Sequence, residues 1–227
     1  MLDTLFESSR RVGPASSHVQ RHQRSDHRFY PMVKRVADVT AVLLGGALLL
    51  PLIVILAALV RLDGASAFYL QPRLGRGGRV FRMWKLRTMV PDAEARLASY
   101  LDGDPVARAE WDNNQKLRHD PRLTRIGRHL RRYSLDELPQ LWNVLIGDMS
   151  LVGPRPMLPA QRHLYPGTAY FDLRPGLTGP WQVSARNGCS FAERAGYDNR
   201  YAQEISASTD LRILAQTFSV VFRGTGV

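Results

Sequence analysis

Two hydrophobic patterns divide the chain. Residues 39–60 form a run of 22 without a charge, interrupted once by Pro51. As a straight helix this run extends roughly 33 Å, which matches a hydrocarbon core of about 30 Å. Downstream, apolar residues come in short bursts. Residues 67–71 and 80–86 read as strands, separated by the Gly-rich turn Gly75-Arg76-Gly77-Gly78. Residues 93–100 read as a helix with Asp92 at its N-cap, and 106–118 as a second helix beyond the loop Asp102-Gly103-Asp104-Pro105. Asp120-Pro121 marks a turn, and 124–132 a short basic helix. Prolines at 154, 156, 159, 166, 175 and 180 predict an irregular, loop-rich stretch. Residues 191–204 and 210–222 read as closing helices. Leu211, Leu214, Phe218 and Val221 form an apolar stripe on the last one, which points to packing. No internal repeat is visible.

The charges flanking the apolar run bear on its topology. Lys34 and Arg35 precede it; Arg61, Arg73, Arg76 and Arg79 follow it. The positive-inside rule asks for one basic, cytosolic flank, and here both flanks qualify. A helix that enters one leaflet, turns at Gly45-Gly46 or Pro51 and returns satisfies both. A kinked span also accommodates Pro51, because proline is tolerated in spanning helices. The run starts too far from the N-terminus for a signal peptide, and Arg61 follows it instead of a cleavage site. The division is therefore a basic, poorly ordered tail at 1–30, a membrane segment at 31–62 and a cytosolic domain at 63–227, within which the candidate catalytic residues fall. The fold class is α+β: a membrane-embedded helix joined to a small, mostly helical cytosolic domain with a short β-hairpin.

Composition adds a net charge of +11 and a pI of about 10.5. Such a balance favours anionic partners. With an apolar run present, lipid head groups and phosphorylated substrates rise over nucleic acid, whose usual aromatic and glycine interleaving the tail lacks. The single cysteine, Cys189, excludes an internal disulfide framework. The six histidines show no zinc spacing, and no Walker-type phosphate loop is present.

The candidate chemistry lies in Ser134-Leu135-Asp136-Glu137-Leu138-Pro139-Gln140. Two carboxylates stand side by side inside a basic neighbourhood: Arg122, Arg125, Arg128, Arg131 and Arg132 upstream, Arg155 downstream. Helical neighbours point about 100° apart, so the pair does not clamp a bond as glycosidase carboxylates do. Adjacent carboxylates can divide labour, one attacking while the other holds a metal or handles a proton. A competing structural reading makes Ser134-x-x-Glu137 a capping box. In either helical register Asp136 falls at a positive helix end, which favours its ionised form. Arginines suit a diphosphate substrate through bidentate contacts, and some also suit anionic lipid.

From Lys34 onward the sequence resembles the monotopic phosphoglycosyl transferases, a family of bacterial sugar transferases. The matching stretches are Lys34-Arg-Val-Ala-Asp38, Gln71-Pro-Arg-Leu-Gly75, Phe81-Arg-Met-Trp-Lys-Leu-Arg-Thr-Met89 and Asp120-Pro-Arg-Leu-Thr-Arg-Ile-Gly127. Ser134 to Asn143, Gly147 to Pro156 and Arg174 to Gly179 complete the set. The resemblance implies transfer of a sugar 1-phosphate from a UDP-sugar to undecaprenyl phosphate, with UMP as the other product. It implies Asp136 as the nucleophile that forms a phosphosugar ester, Glu137 as the second catalytic acid, and Mg²⁺ as cofactor with Asp136 as its neighbour. Arg131 and Arg155 match basic residues near the phosphates, and Lys85 and Arg87 match a further basic motif. The family anchor is a re-entrant helix broken at a Ser-Pro pair, here Leu50-Pro51, on the cytosolic face of the bacterial inner membrane. Gly179-Pro-Trp-Gln-Val183 and the Arg223-Gly-Thr-Gly226 ending resemble exopolysaccharide-initiating members, with galactose or glucose as the sugar. Membrane lipids are implied partners, nucleic acid is not, and a homo-oligomer is compatible. A nonenzymatic scaffold would explain the charge and anchor but not the Asp136-Glu137 constellation.

Overall fold

The computed structural model describes residues 17–114, 117–184 and 190–222. A long helix, α1 (Ser17–Arg61), leads into the hairpin β1 (Phe68–Leu74) and β2 (Val80–Leu86). Helices α2 (Ala93–Gly103), α3 (Pro105–Asn114), α4 (Arg125–Arg132) and α5 (Gln140–Ile146) follow. Then come β3 (Ser150–Val152), α6 (Ala169–Asp172), β4 (Gly176–Thr178), α7 (Pro180–Ser184), α8 (Arg194–Glu204) and α9 (Ala207–Phe222). The class is α+β, mostly helical, with β1 and β2 antiparallel and β3 and β4 a short parallel pair.

Helix α1 is continuous through Pro31 and Pro51. It reaches back to Ser17, into the segment expected to be an unstructured tail. No glycine or proline lies between Ser17 and Tyr30, so a helix nucleated by the packed segment can propagate upstream one bond per residue. Its 30–61 portion is long and apolar enough to cross a membrane. Leu43, Leu44, Leu48, Leu50, Val54 and Ile55 are all exposed, without a protein partner to cover them.

Both ends of that portion are fastened to the same domain. At the first end, the Arg35 guanidinium donates to the carbonyls of Val144 and Leu145, capping α5. Buried Asp38 accepts from Ser150 Oγ at 2.7 Å and from the Leu151 N–H. Lys34 and Tyr30 both meet Asp210 at the start of α9, and Tyr201 Oη donates to the same carboxylate. Lys34-Arg-Val-Ala-Asp38 is thus a set of clamps. Val42 packs nearby with Phe81, Met83, Val144 and Met149. At the second end, Val60 joins Ala67, Leu86 and Leu130 in a separate apolar cluster. Arg87 closes this end by donating to Val60 O, Ser66 O, Met89 O and Asp63.

Two further clusters fill the C-terminal half, one around Tyr165 and Tyr170 and one joining Val152, Tyr201 and Ile213. The α2–α3 hairpin carries its own small core of Leu101, Ala107 and Leu117. On α9 the expected packing stripe holds in part: Leu214 packs beside buried Ile213 against Val152 and Tyr201, whereas Leu211 and Phe218 are 67% and 66% exposed. A 3.6-residue period finds an apolar face, but tertiary contacts choose which side turns inward. Here the Thr178–Thr217 hydroxyl contact at 2.7 Å and the packing of Ile213 make that choice.

Candidate active site

The site gathers where β2 ends. Its Lys85 Nζ lies 2.9 Å from Glu137 Oε1 and 3.6 Å from Asp136 Oδ2. The two carboxylates sit on a one-turn 3-10 helix, Leu135–Glu137, immediately before α5. Ser134 introduces that turn in the left-handed region, at φ 56°, with no side-chain cap. The capping box is therefore not formed: the Ser134 N–H donates to Arg131 O, and the Glu137 carboxylate accepts from Lys85 instead. Pro139 stands just before α5, so its missing N–H costs no helical bond.

Helix α4 supplies Arg131. Thr124 caps it, its Oγ1 accepting from Gly127 N at 2.8 Å. Gly127 lies so close to the chain after β2 that a Cβ would fall 2.0 Å from Thr88 O. This contact brings Arg131 Nε to 3.0 Å from Thr88 Oγ1, beside Asp136.

Arg155 is delivered by the loop after β3. Gly153 N donates to Thr178 O, and Gly176 N to Pro154 O. A Cβ on Gly179 would sit 1.9 Å from Gly153 O, so the strands can approach this closely only through glycine. Arg155 reaches Glu137 at 3.5 Å and leans over the Trp181 ring, 5.9 Å from its centroid.

Strand β1 adds a residue the sequence reading left out of the site. Arg73 Nη1 donates to Pro156 O at 3.0 Å, and its charge lies near Arg155 and Glu137. Burial and then the neighbouring Arg155 hold its pKa down at about 10. The antiparallel register carries the signal that would have found it. Tyr69 pairs with Lys85 and Arg73 with Phe81, so Tyr69, Arg73 and Lys85 share one face of the hairpin. Of the four basic residues expected at the phosphates, Lys85 and Arg155 contact the pair and Arg131 flanks it. Arg87 does not join them; its three nitrogens are engaged at the end of α1.

The two carboxylates differ in character. Burial pushes the Asp136 pKa up, with Lys85 opposing and the Glu137 charge adding to the rise. The helix-end stabilisation expected for Asp136 is not what governs it, because the turn precedes α5 and the site is desolvated. Burial also works against Glu137, but Lys85 and Arg155 outweigh it and hold the group at about 2. Lys85, Arg73, Arg131 and Arg155 face Asp136 and Glu137, four cations against two anions. An arrangement with that excess is built to receive an anion.

Among the described residues no three metal-ligating side chains converge. A magnesium ion needs only one or two carboxylates when substrate oxygens and water complete its shell. Asp136 and Glu137 fit that requirement.

The site thus sets a carboxylate pair and four cations beside an apolar helix that is long enough to cross a membrane and is held at both ends by one domain. The sequence profile described as bacterial sugar transferase matches residues 29–224, and the chain belongs to that family. It is 47% identical over 196 residues to the UDP-galactose-lipid carrier transferase of Erwinia amylovora, covering 86% of this chain and 41% of that protein. It is 42% identical over 196 residues to the undecaprenyl-phosphate galactose phosphotransferase of Salmonella typhimurium, covering 86% and 41%. With the exopolysaccharide production protein ExoY of Rhizobium meliloti it shares 43% over 198 residues, covering 86% and 88%. The chain thus spans about two fifths of the first two relatives and most of the third.

Proposed function

We propose that this protein transfers a sugar 1-phosphate from a UDP-sugar to undecaprenyl phosphate at a membrane surface, initiating exopolysaccharide repeat synthesis. The observation that carries this reading is the Asp136–Glu137 pair inside a cluster of four cations. A carboxylate can attack a diphosphate only where the substrate's charge is offset, and Lys85, Arg73, Arg131 and Arg155 provide that offset. The sugar is galactose, which the names of two relatives carry, or its epimer glucose.

Asp136 acts as the nucleophile. Its Oδ attacks the phosphorus bearing the sugar, the bond to the second phosphate breaks, and UMP leaves with the electron pair. The lipid phosphate then attacks the aspartyl ester, forming undecaprenyl-diphospho-sugar and restoring the carboxylate. Lys85 holds the two carboxylates in register and favours the ionised form of Asp136. Glu137, ionised throughout, anchors Lys85 and Arg155 around the reacting phosphates. Asp136 and Glu137 would hold a magnesium ion, which would supply further positive charge toward the diphosphate.

The anchor reading follows from the clamps. Arg35 and Asp38 at one end, and Val60 and Arg87 at the other, attach to one water-facing domain. A helix that crossed a bilayer would leave its ends on opposite sides. The two attachments support both ends lying on one side of the membrane. Together with the basic residues on both flanks, they support a re-entrant segment that turns between Gly45 and Pro51 on the cytosolic face.

The test is UMP release by purified protein given undecaprenyl phosphate, Mg²⁺ and a panel of UDP-sugars, beside Asp136→Asn. Turnover with one donor, lost in the variant, is expected. Absence of UMP with every donor, in folded and membrane-bound protein, would sink the reading.

A further inference from the structure

We propose that Tyr69 forms the wall against which the hexose ring of the donor packs, a role that rests on the transferase reading above. The hairpin register places Tyr69 directly opposite Lys85 on the same face. Directly opposed residues in such a pair have Cβ atoms about 4.5–5.5 Å apart. Lys85 is the ammonium in contact with both carboxylates. Tyr69 therefore stands at the edge of the reacting centre, and it is 50% exposed.

Its neighbours are committed elsewhere. Phe68 lies on the opposite face, where its ring meets Trp84 edge-on at 5.8 Å. Leu70 pairs with Trp84 on that same outer face. Among the described residues Tyr69 stacks on no other ring, and half of the residue is exposed.

The site has two distinguishable ends. Asp136 lies with Arg131 and Thr88, beyond Lys85 at the end of β2. By register that is the end of the hairpin where Tyr69 stands, although the Tyr69 hydroxyl also acts on the Arg73 charge. Glu137 lies with Arg155 and Arg73 on the other side, and Arg155 continues to Trp181. Tyr69 and Arg73 are four residues apart on β1, about 13 Å along the strand. That length accommodates a hexose and the two phosphates next to it. The nucleophile attacks the phosphorus that carries the sugar, so the sugar belongs at the Asp136 end, next to Tyr69. The nucleotide belongs at the Arg155 end. A pyranose presents a face of C–H groups, whose weakly positive hydrogens suit the negative face of a phenol ring.

Two variants keep the strand while changing the ring. Tyr69→Thr preserves β-propensity and removes the aromatic face, and Tyr69→Phe preserves the face. In single-turnover UMP release without lipid acceptor, Tyr69→Thr is expected to raise KM for the UDP-sugar about 5- to 10-fold. Tyr69→Phe is expected to stay within about twofold of the parent. Inhibition by UDP, which lacks the sugar, is expected to be unchanged in both. Equal weakening of UDP in Tyr69→Thr would overturn the assignment, because the ring would then face the nucleotide. An unchanged donor step with a raised KM for undecaprenyl phosphate would also overturn it, because the ring would then face the lipid. Wild-type protein that releases no UMP from any donor would overturn the transferase reading, and this assignment with it.

Discussion

The Asn143 carboxamide acts as a rung on the free edge of the strand that carries Trp84. Its Oδ1 accepts from Trp84 N at 3.0 Å, and its Nδ2 donates to Arg82 O at 2.8 Å. The residue is fully buried. It stands on α5, directly after the carboxylate turn, and the strand it grips delivers Lys85. The contact therefore sets the distance between the ammonium and both carboxylates.

Asn143→Ala leaves two part-buried main-chain groups without their side-chain partner, at a cost of about 1–3 kcal/mol. The expected result is a lower unfolding temperature in detergent and a loss of UMP release greater than the unfolded fraction explains. Asn143→Asp keeps the acceptor but loses the donor, and is expected to fall between wild type and Asn143→Ala. Parent-like turnover in both variants would separate Asn143 from the positioning of Lys85.

Lys85 draws the Asp136 pKa down against the rise that burial imposes. Removing the ammonium as Lys85→Met takes that influence away, so Asp136 retains its proton to higher pH. Nucleophilic attack needs the ionised carboxylate, so the acidic limb of the rate profile is expected to move to higher pH. The rate above that limb is expected to fall about 10²- to 10³-fold, because a charge facing the phosphates is also gone. A pH–rate profile of UMP release checks both. An unmoved acidic limb would mean that Lys85 does not govern Asp136.

Gly127 is the contact through which α4 reaches the Thr88 main chain, with no room for a Cβ. Gly127→Ala forces the two backbones apart, and a shift of this kind costs about 1–3 kcal/mol. Arg131 would move with the helix. The expected signature is reduced stability together with a raised KM for the donor. Thr124→Ala, which removes the cap and a long 3.4 Å hydrogen bond to Thr88 O but leaves the Gly127 contact in place, is expected to cost about 1 kcal/mol and to change KM less than Gly127→Ala.

Much of this was legible in the sequence because it is local. The apolar run of α1, the strands either side of Gly75-Gly78, and the acidic pair in its basic setting each show within a few residues. What was not legible depends on register and burial. Arg73 and Tyr69 join the site only because the hairpin pairs them with Phe81 and Lys85. Arg87 sits two residues from Lys85, yet it turns to the end of α1, where unpaired carbonyls and Asp63 attract it. Lys34, Arg35 and Asp38 matched a motif without a visible purpose, since their partners lie more than 100 residues away. The rise in the Asp136 pKa is a desolvation effect, and burial cannot be read from the sequence around a single carboxylate.

Asp198 is buried and donor-poor, its Oδ2 accepting from Tyr165 Oη at 2.8 Å. Burial pushes its pKa up to about 6, against an ordinary value of about 3.9 in the unfolded chain. The folded state therefore binds the proton more tightly. Stability rises as pH falls from above 6 toward 4, and the buried charge costs about 2–3 kcal/mol at neutral pH. Asp198→Asn keeps an acceptor for Tyr165 and removes the charge. It is expected to stabilise the protein by about 1–2 kcal/mol at pH 7 and to flatten the stability profile between pH 4 and 6. Unfolding followed across that range, in both proteins, measures the difference directly.

The clamps at both ends of α1 give the anchor a topology that can be labelled. Met32 and Ser66 are exposed at the two ends; neither side chain is part of a clamp, Ser66 meeting Arg87 only through its main-chain carbonyl. Met32→Cys and Ser66→Cys, each in a Cys189→Ser background, present one thiol apiece. In intact cells a membrane-impermeant maleimide is expected to react with neither, and after permeabilisation with both. Reaction of either thiol in intact cells would put that end outside the cytosol. The two ends of α1 could then no longer share one face, and the helix would have to cross the bilayer with its clamps to the domain broken at one end.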